Sequence, residues 1–448
     1  MKQHKRLHNN RLHRDSKKFN NKKLRRNSGN NGELTIHRAG HVMISPCQII
    51  DNGFISVVNN TIVDVGAVTE TSIIKFSATS GYHSDISNFD KYSEDSRIID
   101  HGSGIIMPSL VNAHTHFELS ALKGKIPFDK GFNQWVRELI NKREQCGAEL
   151  LKLEAKKAIE SAILTGTSIV GEISTIGITE DIFANSDIAG VWFKEYLGSD
   201  LGILSDSLLP TTLLDSKDRD IVTKNSFAGH APHTTSPALL KLLKEQTNKL
   251  KIPFSIHVAE SDDETEFITT GQGNWANFLR EREIDYSKWN IPSKSPVQYL
   301  NDIGLLDSLT LDVHLINVDD KDIEIIAKTK ARPIFCPRSN FNLHKKLPDI
   351  PHFFKYDLKP ALGTDSLAST DSINMFDEML YVAKLFPELN PSEIIAMATI
   401  NGADALGFGK IAGTLEKGKR ADFIYIPDIS GKNNSDKIMS IIEYKSGQ

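Results

Sequence analysis

The chain has 448 residues, 39% of them hydrophobic and 25% charged, the balance of a soluble globular protein, and no run approaches the roughly 20 apolar residues that span a bilayer. Its three cysteines, Cys47, Cys146 and Cys336, are far apart, which excludes a zinc-finger or disulfide framework and fits a reducing cytoplasm. The net charge of −4 hides an asymmetry: residues 1–31 carry eleven Lys/Arg and one Asp, +10 in all, so the remainder carries −14.

Residues 1–31 are rich in Asn and His and nearly free of apolar side chains, so they read as a disordered basic tail. They lack the apolar stretch of a secretory signal. Clustered positive charge attracts phosphates, but the acidic body argues against nucleic acid as the main partner. From residue 32 to 104 the pattern is that of a small β-domain. Short strands are expected at Leu34–His37, Val42–Ile44, Phe54–Val58 and Thr61–Val65, with hairpin turns at Asp51-Asn52-Gly53 and Asn59-Asn60. Residues 67–97, polar and rich in Ser and Asp, read as a surface insertion.

From residue 105 to 407 buried-type strands alternate with amphipathic helices. Eight strands are expected: Ile105–His116, Thr167–Ser174, Gly190–Leu197, Phe227–Thr234, Phe254–Ser261, Leu309–Leu315, Pro333–Pro337 and Pro360–Asp365. Helical periodicity is clearest at Ala148–Leu164, Pro237–Lys249, Lys321–Lys328 and Pro391–Ala405. Eight β/α units make a parallel sheet that closes naturally into a (β/α)8 TIM barrel. A last strand, Ala421–Ile426, follows the barrel, so residues 408–448 return to complete a small β-sandwich-like domain with the N-terminal strands.

Chemistry concentrates at the strand ends. Asn112-Ala113-His114-Thr115-His116 closes the first apolar run, and residues i and i+2 of a strand face the same side. His114 and His116 therefore point together into the C-terminal mouth, where barrel enzymes keep their sites. Alone, such a pair is more often a core or surface feature than a ligand pair. Here His257 and Glu260 end another strand, His314 ends a third and Asp365 ends the eighth. One mouth collects them all.

The set HTH, HVAE, the sixth-strand His and LGTDS resembles the amidohydrolase superfamily over roughly residues 33–430. Within it the chain is most similar to the mononuclear aminohydrolases: the adenosylhomocysteine and methylthioadenosine deaminases, the aminodeoxyfutalosine deaminases and the triazine chlorohydrolases. The runs Ala231-Pro232-His233-Thr234 and Cys336-Pro337-Arg338-Ser339-Asn340 support the match. No inward lysine closes the fourth strand, as it does in binuclear members. The resemblance implies one divalent cation, Zn2+ with Fe2+ as the alternative, held by His114, His116, His257 and Asp365. It implies Glu260 as proton shuttle, His314 as the group polarising the nucleophile, and Asp365 as ligand and proton acceptor. On a straight strand Glu260 would point away from His257, so this role requires the chain to turn after Val258.

Weaker candidates for substrate contact are Glu118, His233, Trp135, Glu144 and Glu195. Against them stand plain alternatives: a solvated loop carboxylate for Glu118, and helix-surface positions for Trp135 and Glu144. The GxGxxA match at Gly271–Ala276 follows a helix-like run instead of a strand and is no dinucleotide fingerprint. The expected function is hydrolytic deamination of an aminated heterocycle, an adenine-bearing nucleoside such as aminodeoxyfutalosine. Alternatives are chloride displacement from a triazine, guanine deamination, or an inactive scaffold, which the complete ligand set disfavours. A small molecule is the expected partner, with no membrane and with homo-oligomerisation left open.

Overall fold

The computed structural model describes residues 33–68, 97–199, 222–427 and 429–445. The basic tail and almost all of the polar stretch between 67 and 97 lie outside the described residues. Strands β1 (Thr35–Ser45), β2 (Gln48–Val58), β3 (Thr61–Ala67), β4 (Arg97–Asp100) and β5 (Ile105–Pro108) join β14 (Phe423–Ile426) in a six-stranded mixed sheet. Its order is β14-β5-β1-β2-β3, with β4 beside β1.

Two details differ from expectation. The segments Leu34–His37 and Val42–Ile44 are parts of one strand, and the hairpin turn falls at Pro46-Cys47 because Ser45 pairs with Gln48. Proline lacks the N–H that a ladder needs and favours a turn. The expected turn at Asp51-Asn52-Gly53 is instead a local kink within β2, where Asn52 takes a φ of 48°. Asn59 and Asn60, at φ 46° and 60°, do form the expected turn, in the left-handed conformation that suits a tight hairpin.

The barrel runs β6 (Leu110–Thr115), β7 (Thr167–Ser174), β8 (Ala189–Tyr196), β9 (Thr223–Gly229), β10 (Phe254–Val258), β11 (Thr310–His314), β12 (Arg332–Phe335) and β13 (Ala361–Leu362). Neighbours in sequence are neighbours in the sheet, and every pair is parallel. The ring returns on itself where Thr364 and Asp365 donate their N–H groups to the His114 carbonyl at 3.1 and 3.0 Å. Inward residues such as Ile169, Val191, Phe193, Leu311, Val313 and Ile334 bury together with Leu406 and Phe408. Outward residues such as Phe254, Ile256 and Val258 pack with Leu239, Leu240 and Leu243 of the helix Pro237–Leu250. The (β/α)8 barrel with a separate sheet is the architecture read from the sequence.

The boundaries move for local reasons. Ile105–His116 is two strands, since Ile105–Pro108 pairs with β1 and β14 while Leu110 bonds Gly166 beside β7. Residues 230–234 form a turn instead of extending β9, with the Thr234 N–H on the Ala231 carbonyl. The first helical segment begins at Phe132, and Gly147 at φ 70° breaks it, so Ala148–Leu164 is its second half. The stretch Pro391–Ala405 is two helices, Pro391–Met397 and Ile400–Ala405, parted where the Ala398 carbonyl accepts the Val111 N–H. After β14, which pairs antiparallel with β5, the helix Asn434–Ile442 sinks Ile438, Ile441 and Ile442 into the cluster that holds Met375, Met379 and Ile394. The final segment thus divides between the small sheet and the flank of the barrel. No helix among the described residues is long and apolar enough to cross a membrane.

Candidate active site

His114, His116, His257 and Asp365 lie at the C-terminal ends of β6, β10 and β13, each less than a tenth exposed. The Nε2 of His114 is 3.2 Å from that of His116 and 3.3 Å from that of His257. The Oδ1 of Asp365 is 3.7 Å from the Nε2 of His116. Ligands about 2.0–2.1 Å from a tetrahedral ion stand about 3.3 Å apart, a spacing that the two pairs made by His114 match and that the His116–Asp365 pair, at 3.7 Å, exceeds. Burial, and then the neighbouring imidazoles, push the pKa of His114 far down. Burial also brings His116 and His257 to about 3. Neutral nitrogens packed this closely repel through their lone pairs unless a cation sits among them. Three neutral nitrogens and one carboxylate oxygen fit a divalent ion.

The supporting bonds fix orientation. His257 donates from Nδ1 to the His230 carbonyl at 2.7 Å, which leaves the Nε2 lone pair aimed at the cluster. Asp365 accepts Ser339 Oγ at 2.5 Å and Ser369 Oγ at 3.1 Å on Oδ2, and the Ser366 N–H at 2.7 Å on Oδ1. Gly363 is required by close approach: a Cβ there would stand 2.7 Å from the His114 carbonyl oxygen.

Four non-glycine residues at the mouth take left-handed backbone conformations: Ala259 (φ 54°), His314 (80°), Leu315 (51°) and Asp365 (58°). Such conformations cost roughly 1–3 kcal/mol each and gather at functional sites. Their effect here is to re-aim side chains. Leu311 and Val313 face the barrel interior, so strict alternation would turn His314 outward; the left-handed turn instead sets its Nε2 3.8 Å from Oε1 of Glu260. Ala259 performs the same service for Glu260. The turn is held by buried Glu264, whose two oxygens accept the N–H groups of Ala259 and Glu260 at 2.9 and 2.8 Å.

His344 donates from Nε2 to Oε1 of Glu260 at 3.1 Å. His314 donates from Nδ1 to Oδ1 of Asn340 at 2.8 Å, which turns Nε2 toward Glu260. Burial works against ionisation of Glu260, but His314 and then His344 outweigh it and hold the carboxyl well below the usual carboxylate range. The mouth therefore holds an ionised carboxylate beside the close-set histidine and aspartate donors.

The other candidates scatter. Glu118 is fully buried and spends its oxygens on Ser174 Oγ at 2.6 Å and the Thr175 N–H at 2.9 Å. Glu195 accepts Thr175 Oγ1 at 2.7 Å, while its Oε1 has no hydrogen-bond partner and lies 3.7 Å from Nδ1 of His257. His233 is buried with both ring nitrogens unbonded, its ring tilted against that of Trp275 with the centroids 4.4 Å apart. Trp135 is buried against Leu119, Leu122, Ile126 and Leu343. Glu144 is exposed on its helix, and no contact draws it to the mouth.

Sequence reasoning passed over His230, whose ring lies 5.2 Å from that of His257, because the expected fourth strand runs five residues past the observed end at Gly229. It also missed His344, Glu264 and the serines that hold Asp365. His230 had a signal, since it directly follows the strand's final glycine; His344 had none.

A family model described as the amidohydrolase family matches residues 105–442. A 5-methylthioadenosine/S-adenosylhomocysteine deaminase of Thermoanaerobacter pseudethanolicus is 30% identical over 346 residues, 74% of this chain and 75% of that protein. An aminodeoxyfutalosine deaminase of Deinococcus radiodurans is 28% identical, covering 68% of this chain and 73% of that one. The crystal structure of Helicobacter pylori aminofutalosine deaminase in complex with methylthio-coformycin matches with a TM-score of 0.73 at 23% identity, over 91% of this chain and 96% of that chain.

Proposed function

The chain belongs to the amidohydrolase family, hydrolases of carbon–nitrogen bonds, and on that premise we propose that it deaminates an adenine-bearing nucleoside, with aminodeoxyfutalosine the leading substrate. The observation that carries the reading is Glu260 beside His314 at the rim of the donor set, 3.8 Å apart, in a chain similar to two kinds of adenine-nucleoside deaminase. His114, His116, His257 and Asp365 would hold one divalent cation. Three imidazoles and one carboxylate favour Zn2+, and Fe2+ is the alternative. When bound, the ion supplies the Lewis acidity that makes water a competent nucleophile at neutral pH.

This chain's own residues do the rest. Glu260 takes a proton from the attacking water and delivers it to the ring nitrogen next to the carbon that carries the amine. His314 presents its free Nε2 to the nucleophile and orients it. Asp365 accepts the second proton, which leaves with the amine as ammonia, and the ring keeps a carbonyl. Glu195 and His233, buried polar groups with unbonded atoms, contribute hydrogen bonds to the sugar, because a buried polar atom left unpaired is costly. Trp135 supports the apolar wall beside them. Glu118 and Glu144 have no part in this reading.

The test is ammonium release from a panel of adenosine derivatives that differ at the 5′ position, run beside guanine and a chlorotriazine. Turnover of the adenine nucleosides, lost in Glu260→Gln, is the expected result. Chloride or guanine turnover with inert adenine nucleosides would overturn it.

A further inference from the structure

We propose that His344 is a positioning residue for the proton shuttle, fixing the Glu260 carboxylate through Oε1 so that Oε2 is the oxygen that handles protons. The inference rests on the reading of Glu260 as that shuttle.

The helix Pro337–His344 reaches three site groups at once. Near its start Ser339 donates to Asp365 and Asn340 accepts from His314. At its last residue His344 donates to Glu260 at 3.1 Å. Asn340 and His344 stand four residues apart, one turn along the same helical face. A single rigid element thus sets the relative positions of Asp365, His314 and Glu260.

The imidazole is itself confined. Its side chain is 6% exposed, and the ring packs 4.6 Å from that of Phe132, which also stacks on Trp135 at 6.0 Å. Without this donor, the near partner left to Oε1 of Glu260 among the described residues would be His314, at 3.8 Å, beyond hydrogen-bond reach. The carboxylate could then rotate about its terminal bond, which has a broad, soft torsional profile. Oε2 has no hydrogen bond among the described residues. That is the state expected of an oxygen kept free for a substrate proton.

The experiment compares His344→Leu, which removes the donor and keeps bulk, with His344→Gln, which restores an N–H donor. Each is made in the wild-type and Glu260→Gln backgrounds on the metal-loaded full chain. Melting temperature and metal content are recorded for every variant, and rates are measured under single-turnover conditions. His344→Leu should lower kcat roughly 10- to 100-fold, the scale of a misplaced reacting group, with KM changed far less. His344→Gln should recover most of the loss. In the Glu260→Gln background His344→Leu should cost nothing more. Normal turnover in His344→Leu beside an impaired Glu260→Gln would overturn the role of His344 and spare the shuttle. Normal turnover in Glu260→Gln would overturn the shuttle reading itself. An equal loss in both backgrounds would mean that His344 acts independently of Glu260, and would also overturn the proposal. If His344→Leu fails to fold, His344→Asn, whose amide is too short to reach Oε1, takes its place: a kcat deficit that disappears beside Glu260→Gln supports the role, and normal turnover or a deficit that persists overturns it.

Discussion

Glu260 and Asp365 are both carboxylates at strand ends, yet their bonding assigns them different work. Asp365 is clamped by two serine hydroxyls and a backbone N–H, and one oxygen lies against the histidine cluster. Glu260 is anchored on one oxygen only. Glu260→Gln should therefore keep the metal and lose kcat by about 10²–10⁴-fold, about 3–5 kcal/mol of barrier, with a much smaller change in KM. Asp365→Asn should lose metal as well as rate, since a ligand charge disappears. His114→Ala and His257→Ala should lose the metal outright, against close to one equivalent in the parent. Elemental analysis beside steady-state rates checks all four; two equivalents in the parent would refute the single-ion assignment. The proposed metal donors were legible because an HxH pair and strand-end His and Asp residues stand on backbone positions that periodicity locates. His344 was not, because its relevance arises only from how a helix after β12 leans over the mouth.

At the scale of elements, the strand ends carry the function and were the hardest part to read. Strands β10 and β11 stop where Ala259 and His314 turn left-handed, and Asp365 does so three residues beyond the end of β13. Ala259 is of a type that carries no turn signal, whereas Asp365 is of one that tolerates the left-handed region. What stabilises the turn at Ala259 is a carboxylate five residues on, Glu264, a contact that hydrophobic periodicity does not register. The junction of β13 with β6 is similarly exacting. Gly363→Ala would press a Cβ into the backbone of His114, and the strand cannot retreat without moving His114, a proposed metal donor. Such overpacking typically costs 1–3 kcal/mol. The variant should melt at lower temperature and hold less metal than the parent, as calorimetry with elemental analysis would register; an unchanged melting temperature with full metal content would show that the closure has slack.

Across the whole molecule the alternation of strand and helix was legible from end to end, since each barrel strand buries both faces and each helix one. The hidden polar groups were not. Asp312 is fully buried with both oxygens unbonded, and burial raises its pKa to about 8, against some relief from Lys244. The nearest lysine charge is spent elsewhere, since Lys244 bonds Asp307 at 2.7 Å. Below the ordinary aspartate pKa both folded and unfolded chains hold this proton, and the group is neutral in its effect. As pH rises from about 4 toward about 8 the unfolded chain releases the proton while the folded chain retains it, so stability erodes through that window. Asp312→Asn removes the dependence. Its melting temperature relative to the parent should rise between about pH 4 and about pH 8 and level off above that. A difference that stays constant with pH would show that Asp312 ionises normally in the folded protein.

The most direct test of the central claim is isotopic. An adenine nucleoside that the metal-loaded enzyme turns over is incubated in water enriched in oxygen-18, and the products are read by mass spectrometry beside an ammonium assay. Hydrolytic deamination predicts one heavy oxygen in the base of an otherwise intact nucleoside and one ammonium per turnover, with both signals lost together in Glu260→Gln. Free adenine with a labelled sugar, or a labelled base formed without ammonium, would contradict the account.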